Sequence, residues 1–301
     1  MQFRNIIISQ KVLLRIKDRQ LWLCGDEDIS FPLEDINCVL IENPSVSISA
    51  KMIAEFAECQ IVLYVCDHKH LPSAVLLPLV KHSRHFQVLN NQISMPKPLR
   101  KRLWQKIIVQ KITNQAICLQ MLSFEGAEGL FQMAKQVKSG DSGNVEAKAA
   151  AFYFKCLFGK TFSRDIECKV NASLNYGYSI IRGFIARTLV CYGYEPSIGL
   201  WHESIQNSFN LADDLIEPFR PLIDYYVALT NIDLGIDVEL DKDSRYGLIN
   251  LINYDMDTNG EHRIVKNCID IMVSSLTTSM NENINKLITP ELIDLREHRY
   301  E

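Results

Sequence analysis

The sequence predicts an α+β protein in which a small β-rich N-terminal domain, residues 1–85, precedes a larger all-helical domain, residues 86–301. A length of 301 residues allows about two domains, and three observations support this division. Short β-branched and aliphatic runs dominate the first part of the chain. Pro96 and Pro98 then interrupt that pattern. Beyond these prolines, apolar residues recur with a period of about 3.6, which is typical of helices.

The N-terminal domain is predicted to consist of short strands and one helix. Asp18 and Arg19 lie between two aliphatic runs and are expected to form the turn of a hairpin. Ser49 is suited to cap a helix from about residue 50 to residue 59, because its hydroxyl oxygen can accept a backbone N–H of the first turn. Five runs are predicted to be strands, namely Ile6–Ile8, Val12–Ile16, Leu21–Cys24, Val39–Ile41 and Ile61–Cys66.

The second domain is predicted to be built from helices, since strand signals are scarce after residue 100. Leu99, Leu103 and Ile107 recur at helical spacing, so they are expected to face the core. Asn144 is expected to cap a helix that begins at the following residue. The predicted helices cover residues 99–122, residues from 145 onward, 171–192, 209–229 and 262–286.

The composition is that of a soluble globular protein. Hydrophobic residues make up 47% of the chain and charged residues 23%, which excludes a disordered or collagen-like chain. The longest uncharged stretch, residues 112–124, is too short for a membrane span, and the N-terminus has no signal-peptide core. The nine cysteines are scattered without a CxxC pair, which argues against a disulfide framework or a zinc knuckle. We therefore expect a cytoplasmic protein with reduced thiols.

The charges are distributed unevenly along the chain. The formal net charge is −4, yet residues 68–124 contain no Asp or Glu and carry a local charge of +9. The remainder of the chain therefore carries −13. Such segregation indicates a polyanionic partner, with a solvated helix face as the equally weighted alternative. The nine basic residues are Lys69, Lys81, Arg84, Lys97, Arg100, Lys101, Arg102, Lys106 and Lys111.

A carboxylate-rich stretch in the second domain is a candidate divalent-metal site. On one helix, Glu217 would share a face with Asp213 or Asp214, and like charges on one face repel unless a cation neutralises them. His202 lies about ten residues upstream, and imidazole with carboxylates suits Mg²⁺ or Mn²⁺. Glu146 lies in the first turn of a predicted helix, where a favourable interaction with the helix dipole would also explain it. A solvated acidic turn is the alternative for the cluster.

Two other clusters are weaker candidates for metal binding. Residues 255–260 match the first half of an EF-hand loop, but the twelfth position, which should be Glu, is Lys266. The segment CDHKH at residues 66–70 has four potential ligands that are too closely spaced to surround one ion. It favours a loop at the end of a strand.

Four segments together resemble one family, the CRISPR-associated integrases of the adaptation module. They are EAKAAAFYFKCLFG (146–159), NASLNYGYSIIRGFIARTLVCYGYEPSIGLWHE (171–203), SFNLADDLIEPFRPLID (208–224) and RKRLWQKIIVQKITNQ (100–115). The first three are similar to the family's glutamate helix, its central block ending in histidine, and its acidic helix. The fourth, with the strand-rich N-terminal domain, resembles the type II subgroup. Ala147 and Glu217 stand where many members have Gly and Asp.

The resemblance implies a metal-dependent DNA integrase and endonuclease that inserts short foreign DNA fragments into a CRISPR repeat array by transesterification. It implies that Glu146, His202 and Glu217 are catalytic and hold Mg²⁺ or Mn²⁺, with Asp214 as an alternative ligand. It also implies a homodimer formed through the N-terminal domain, a small second adaptation protein, and double-stranded DNA as the protospacer and the repeat array. In a type II system, the effector nuclease and an accessory ring protein join the complex in a bacterial cytoplasm.

The stretch of residues 68–124, here called the basic window, is predicted to supply the DNA contacts of such an enzyme. Contacts to phosphates position a duplex without reading its sequence. The predicted contacts are some of Arg84, Lys97, Arg100, Lys101, Arg102 and Lys106.

Two other functions compete with the integrase. A non-catalytic DNA-binding scaffold of the same complex would be expected to have lost at least one of the three predicted ligands. A metal-dependent hydrolase of small phosphoesters would use the same ligands, but it leaves the basic window unexplained.

Overall fold

The computed structural model describes residues 3–25, 28–79, 83–230 and 239–298 and divides the chain into two compact units. The first unit comprises residues 1–79 and the second residues 80–301. The first unit is rich in strands and the second is mainly helical, as the sequence predicts. Across the described ranges, every helix is too short or too polar to span a lipid bilayer.

The described residues of the first unit form two small sheets and one α-helix. Its elements are β1 (Arg4–Ile8), β2 (Leu13–Lys17), β3 (Gln20–Cys24), β4 (Ile29–Pro32), β5 (Ile36–Ile41), α1 (Ala50–Glu58), β6 (Val62–Cys66) and β7 (Pro72–Val75). The order β1-β5-β6-β7 forms one sheet, in which β1, β5 and β6 are parallel and β7 is antiparallel to β6. The antiparallel order β2-β3-β4 forms the other.

The local predictions for this unit are confirmed. Asp18 and Arg19 both have positive φ angles, 51° and 57°, as a two-residue hairpin turn requires. The Ser49 hydroxyl accepts the backbone N–H of Met52 at 3.2 Å and so caps α1. All five predicted strands are present, while β4 and β7 were not predicted, because four-residue strands give too short a pattern to recognise. Buried aliphatic and aromatic side chains from both sheets and α1, including Leu21, form one core.

The second unit is built around a long central helix. Its helices are α2 (His85–Ile93), α3 (Lys97–Met121), α4 (Ala127–Gln136), α5 (Val145–Phe158), α6 (Lys169–Cys191), α7 (Asn210–Leu215), α8 (Arg220–Leu229), α9 (Lys242–Asn250) and α10 (Val265–Glu282). Helix α3 packs against α4, α5, α7 and α8. Leu99, Leu103 and Ile107 are fully buried on it, which confirms the predicted core face.

The prediction that this unit is all-helical is wrong. Strands β8 (Asp255–Thr258) and β9 (Glu261–Ile264) form an antiparallel hairpin. Its two-residue turn is Asn259 and Gly260, with φ angles of 59° and 82°. The same residues produced the partial EF-hand match, so that motif reflects turn chemistry. Pairing in β9 also explains why the predicted helix 262–286 begins only at Val265.

The remaining local features bear on cysteine and loop chemistry. All nine cysteines lie in described residues, and none forms a disulfide. The segment CDHKH is the connection between β6 and β7, where Asp67 Oδ1 accepts the backbone N–H groups of Lys69 and Leu71 at 2.8 and 3.0 Å. This confirms the loop interpretation.

The predicted cap of α5 was assigned to the wrong residue. Asn144 makes no capping hydrogen bond and adopts a left-handed φ of 48°. The Asp141 carboxylate accepts the backbone N–H groups of Val145 at 2.9 Å and Glu146 at 3.0 Å. The carboxylate of a buried Asp reaches two first-turn donors, whereas the Asn side chain is turned away by its own backbone conformation.

We predict that Asp141→Gly lowers the free energy of unfolding by about 1–2 kcal/mol, because it leaves two first-turn N–H groups of α5 without their acceptor, while glycine accepts the positive φ of 43° at this position. Asn144→Gly is the matched control and should cost little, since glycine accepts a left-handed φ. Chemical denaturation of both variants checks this. An equal loss in both would show that Asn144 contributes the cap after all.

Candidate metal centre

One buried lysine lies at the centre of the site. Lys111 on α3 places its Nζ 2.5 Å from Oε1 of Glu146 and 2.5 Å from Oε2 of Glu217. Only 8% of the Lys111 side chain is exposed. Burial disfavours the charged amine, but the two glutamates outweigh it and raise the pKa of Lys111. Three segments that are far apart in the sequence therefore meet at one positive charge.

Glu146 enters the site from the first turn of α5. Its backbone N–H donates to Asp141, and its side chain, 31% exposed, accepts a hydrogen bond from Lys111. Because the Asp141 cap fixes the first turn of α5, it also fixes the direction in which the Glu146 side chain points away from the helix.

Glu217 enters from a break between two helices. The predicted continuous helix 209–229 is wrong, because it is interrupted after α7 by a 3₁₀ turn at Glu217–Phe219 before α8 begins. Pro218 and Pro221 lack the N–H groups that a continuous helix would need here. Asn114 of α3 holds this break in place, because its side-chain amide donates a hydrogen bond to the Pro218 carbonyl oxygen at 2.7 Å.

The Glu217 carboxylate is buried and strongly stabilised as the anion. Its Oε1 accepts a hydrogen bond from Arg220 Nε at 2.9 Å. Burial by itself would raise the pKa of Glu217, but the charges of Arg220 and Lys111 outweigh it and hold the value at about 2. Its Oε2 lies 2.5 Å from Lys111 Nζ, so each oxygen of this carboxylate faces a different cation.

His202 is oriented by Asp214. Its Nδ1 lies 2.7 Å from Asp214 Oδ1, and an ionised carboxylate can only accept, so Nδ1 carries the proton and Nε2 has the lone pair when the ring is neutral. This bond, set against partial burial, raises the pKa of His202, and the nearby Glu217 adds to the effect. The buried ring of Trp104 packs edge-on against the imidazole at 5.6 Å between centroids, and it stacks on Trp201 at the same distance.

Asp213 and Asp214 have different partners from Glu217. Glu217 therefore does not form with either aspartate the acidic helix face that the sequence suggested. Asp214 is fully buried and accepts the backbone N–H groups of residues 200–202 as well as the His202 ring. Asp213 pairs with Arg182 at 2.7 Å. Since both Asp214 oxygens are engaged in holding the histidine loop, the geometry favours Glu217 as the third ligand.

The donor chemistry of the site fits a hard divalent cation. Two carboxylates converge on one positive charge, and the neutral His202 ring, with its proton on Nδ1, offers Nε2 as a nitrogen donor. Within the described ranges, no three His, Cys, Asp or Glu side chains lie close enough together to hold an ion as they stand. The assignment of Glu146, His202 and Glu217 as ligands therefore stays a prediction.

The basic residues of the window lie in different environments. Arg100 Nη2 donates to the carbonyls of Gln92 and Ile93 at the end of α2, at 3.1 and 3.2 Å. Arg100 also lines an open cleft of about 360 Å³ together with His202 and the residues around it. Lys111 is buried in the ion pairs described above, so it cannot serve as a phosphate contact on the surface.

The other basic residues of the window lie at the surface. Lys97, Lys101, Arg102, Lys106 and Arg84 are exposed. The stem of Lys101 approaches Gly140, next to the ring of Trp201, so Lys101 lies near the loop that carries His202. Lys81 lies outside the described residues.

Lys111 was the site residue that the sequence analysis did not identify, although a signal exists. It follows Leu103 and Ile107 at intervals of four, on the buried stripe of α3. A lysine at a core-facing position of a helix requires a buried counter-charge, and Glu146 and Glu217 provide it.

The chain was compared with known proteins. The sequence profile of the family described as CRISPR associated protein Cas1 matches residues 6–237. The CRISPR-associated endonuclease Cas1 of Neisseria meningitidis serogroup C (strain 8013) is 39% identical over 304 residues, covering 100% of both chains.

Two solved structures share the fold. A casposase bound to integration product has a TM-score of 0.76 at 19% identity, covering 95% of this chain and 92% of that chain. A Cas6-RT-Cas1–Cas2 complex contains a chain with a TM-score of 0.70 at 16% identity, covering 97% of this chain and 36% of that chain. On the profile match and the full-length similarity to the Neisseria protein, this chain belongs to the CRISPR associated protein Cas1 family.

Proposed function

We propose that this protein is a divalent-metal-dependent DNA integrase and endonuclease that inserts short DNA fragments into a CRISPR repeat array. The observation that carries the proposal is the convergence of Glu146 and Glu217 on one buried cation, beside an imidazole held by a carboxylate. All of these residues lie within the stretch that matches the Cas1 family.

Each polar group of the site has a role in this proposal. Glu146, Glu217 and Nε2 of His202 would hold Mg²⁺ or Mn²⁺, which supplies positive charge to stabilise the attacking and leaving oxygens of a phosphate. Asp214 fixes the tautomer and the direction of His202, and Arg220 fixes Glu217. Trp104 packs edge-on against the imidazole and so limits its movement.

The reaction is a phosphoryl transfer. A DNA 3′-hydroxyl attacks a backbone phosphate, and the 3′-hydroxyl of the cut strand leaves. With water in place of the attacking hydroxyl, the same site would act as an endonuclease. An open cleft beside His202, which Arg100 also lines, is the proposed approach for the DNA.

The relatives favour this activity over the two alternatives. The Neisseria relative is named an endonuclease, and the casposase structure contains an integration product. A scaffold that has lost catalysis would have no need to keep two glutamates on one buried lysine and an oriented histidine. A hydrolase of small phosphoesters would have no need for exposed basic residues beside the cleft.

The partners are proposed on the same basis. We expect double-stranded DNA, a second copy of the chain paired through the N-terminal unit, and the small second adaptation protein, since one structural relative is a complex that contains Cas2. The type II effector nuclease and the accessory ring protein are further expected partners, and the cytoplasm of a bacterium is the expected location.

We predict that Glu146→Ala, His202→Ala and Glu217→Ala each reduce DNA joining by at least about 100-fold, because each removes one ligand of the ion that the reaction needs. The assay combines the purified chain, its small partner, a short duplex, a supercoiled repeat plasmid and Mn²⁺, and it measures joined products. Glu128→Ala, an exposed glutamate on α4, is the matched control and should join at the wild-type rate.

Circular dichroism should show that each of the three variants keeps its helical content. Joining near the wild-type rate in any folded variant would remove that residue from the site. Joining by all three would contradict the proposed function.

We predict that Lys101→Ala combined with Arg102→Ala weakens DNA binding and makes it less sensitive to salt. Each lost phosphate contact should reduce the slope of log affinity against log salt by about 0.9, equally for any duplex sequence. Arg100 is left unchanged because it caps α2. Lys135→Ala on α4 is the control and should keep the wild-type slope. The same slope in the double variant and the control would show that DNA runs elsewhere on the protein.

A further inference from the structure

We infer that Lys111 competes with the divalent ion for Glu146 and Glu217. In this proposal its ammonium holds the two carboxylates together before a metal ion binds, and it moves away from them when the ion arrives. The inference rests on the proposed function, because it concerns the same pair of carboxylates. It makes Lys111 a positioning residue that sets the metal affinity of the site.

The geometry places the ammonium where a cation between the two glutamates would lie. Nζ is 2.5 Å from one oxygen of each glutamate, and these glutamates come from two different elements. The rest of the Lys111 stem is buried on α3 beside Ile107 and Ile108. The carboxylates are therefore held at a separation that suits one shared positive charge.

The two glutamates depend on Lys111 to different degrees. Nζ of Lys111 lies 2.5 Å from one oxygen of each. Glu217 also has a second cation, because Arg220 donates to its other oxygen at 2.9 Å. The charge of Glu217 is therefore still neutralised by Arg220 when Lys111 moves.

The chemistry of lysine suits an exchangeable counter-charge. An ammonium is a point charge on a flexible stem of four methylenes, so it can withdraw without breaking a bidentate pair. An arginine at this position could grip a carboxylate with a fixed fork of N–H groups. Two positive groups cannot occupy the same place, so binding of the ion and the Lys111 contact exclude each other.

Removing the charge of Lys111 should therefore lower the stability of the metal-free protein and raise its affinity for the metal ion. In Lys111→Met the stem keeps its length but the glutamates lose their shared counter-charge, which destabilises the metal-free protein. A divalent ion no longer has to displace an ammonium and should bind at least about tenfold more tightly. A lysine that served only as a structural ion pair would give the first effect without the second.

The test uses the full chain, with Mn²⁺ alone as the probe. Isothermal titration measures the dissociation constant of Mn²⁺, and thermal unfolding is recorded in EDTA and in Mn²⁺. The variants are Lys111→Met and Glu146→Gln. Lys106→Met is the matched control, because Lys106 is exposed on the same helix.

We expect Lys111→Met to melt at a lower temperature than Lys106→Met in EDTA, to gain more from Mn²⁺, and to bind Mn²⁺ at least about tenfold more tightly than the wild type. If Lys111→Met is too unstable to purify, Lys111→Gln carries the same test, with the same direction expected. Wild-type or weaker Mn²⁺ affinity in the neutral variant overturns the inference.

The outcomes also separate this inference from the proposed function. If Mn²⁺ binds the wild type, Glu146→Gln loses it, and Lys111→Met binds no more tightly than the wild type, only the competition is wrong. If Mn²⁺ binds neither the wild type nor any variant, both the competition and the proposed metal centre fail.

Discussion

The contact of two glutamates with one buried ammonium holds the site together. Lys111 links α3, the first turn of α5 and the break before α8, and each of these segments approaches it for a local reason. Asp141 fixes the start of α5, and two prolines interrupt the helix at Glu217. Without a positive charge at this point, a fully buried carboxylate would lie close to a second one, and one of them would have to take up a proton or move.

The acidic residues of the site are divided between two tasks. Glu217 is held as an anion by Arg220 and Lys111, with a pKa of about 2, so it stays ready to bind a cation at any physiological pH. Asp214 faces the other way and fastens the loop that carries His202 through its backbone and its ring. A substitution at Asp214 would thus act on the position of the imidazole, whereas a substitution at Glu217 would act on the charge of the site.

The elements with long periodic patterns were predictable from the sequence. The stripe that begins at Leu99 and Leu103 gave α3 to within two residues at its start, and the turn at Asp18 and Arg19 gave the first hairpin. The three residues Glu146, His202 and Glu217 came from motif resemblance, since no periodicity distinguishes a ligand from a solvated carboxylate.

The predictions that were wrong or absent have physical causes. Asn144 looked like a cap because Asn favours that position, but its left-handed backbone turns the side chain away and Asp141 makes both bonds. The hairpin at residues 255–264 was missed because its strands have only four residues each. The role of Lys111 depends on carboxylates that are 35 and 106 positions further along the chain, and only tertiary structure brings them together.

The most direct test of the proposed metal centre is a crystal structure of the protein grown with Mn²⁺, with data collected at the manganese absorption edge. We expect one anomalous peak within about 2.6 Å of a Glu146 oxygen, Glu217 Oε2 and His202 Nε2, with Nζ of Lys111 displaced from both glutamates. A peak bound by Asp214 in place of Glu217, or no peak near these residues at saturating Mn²⁺, would contradict it.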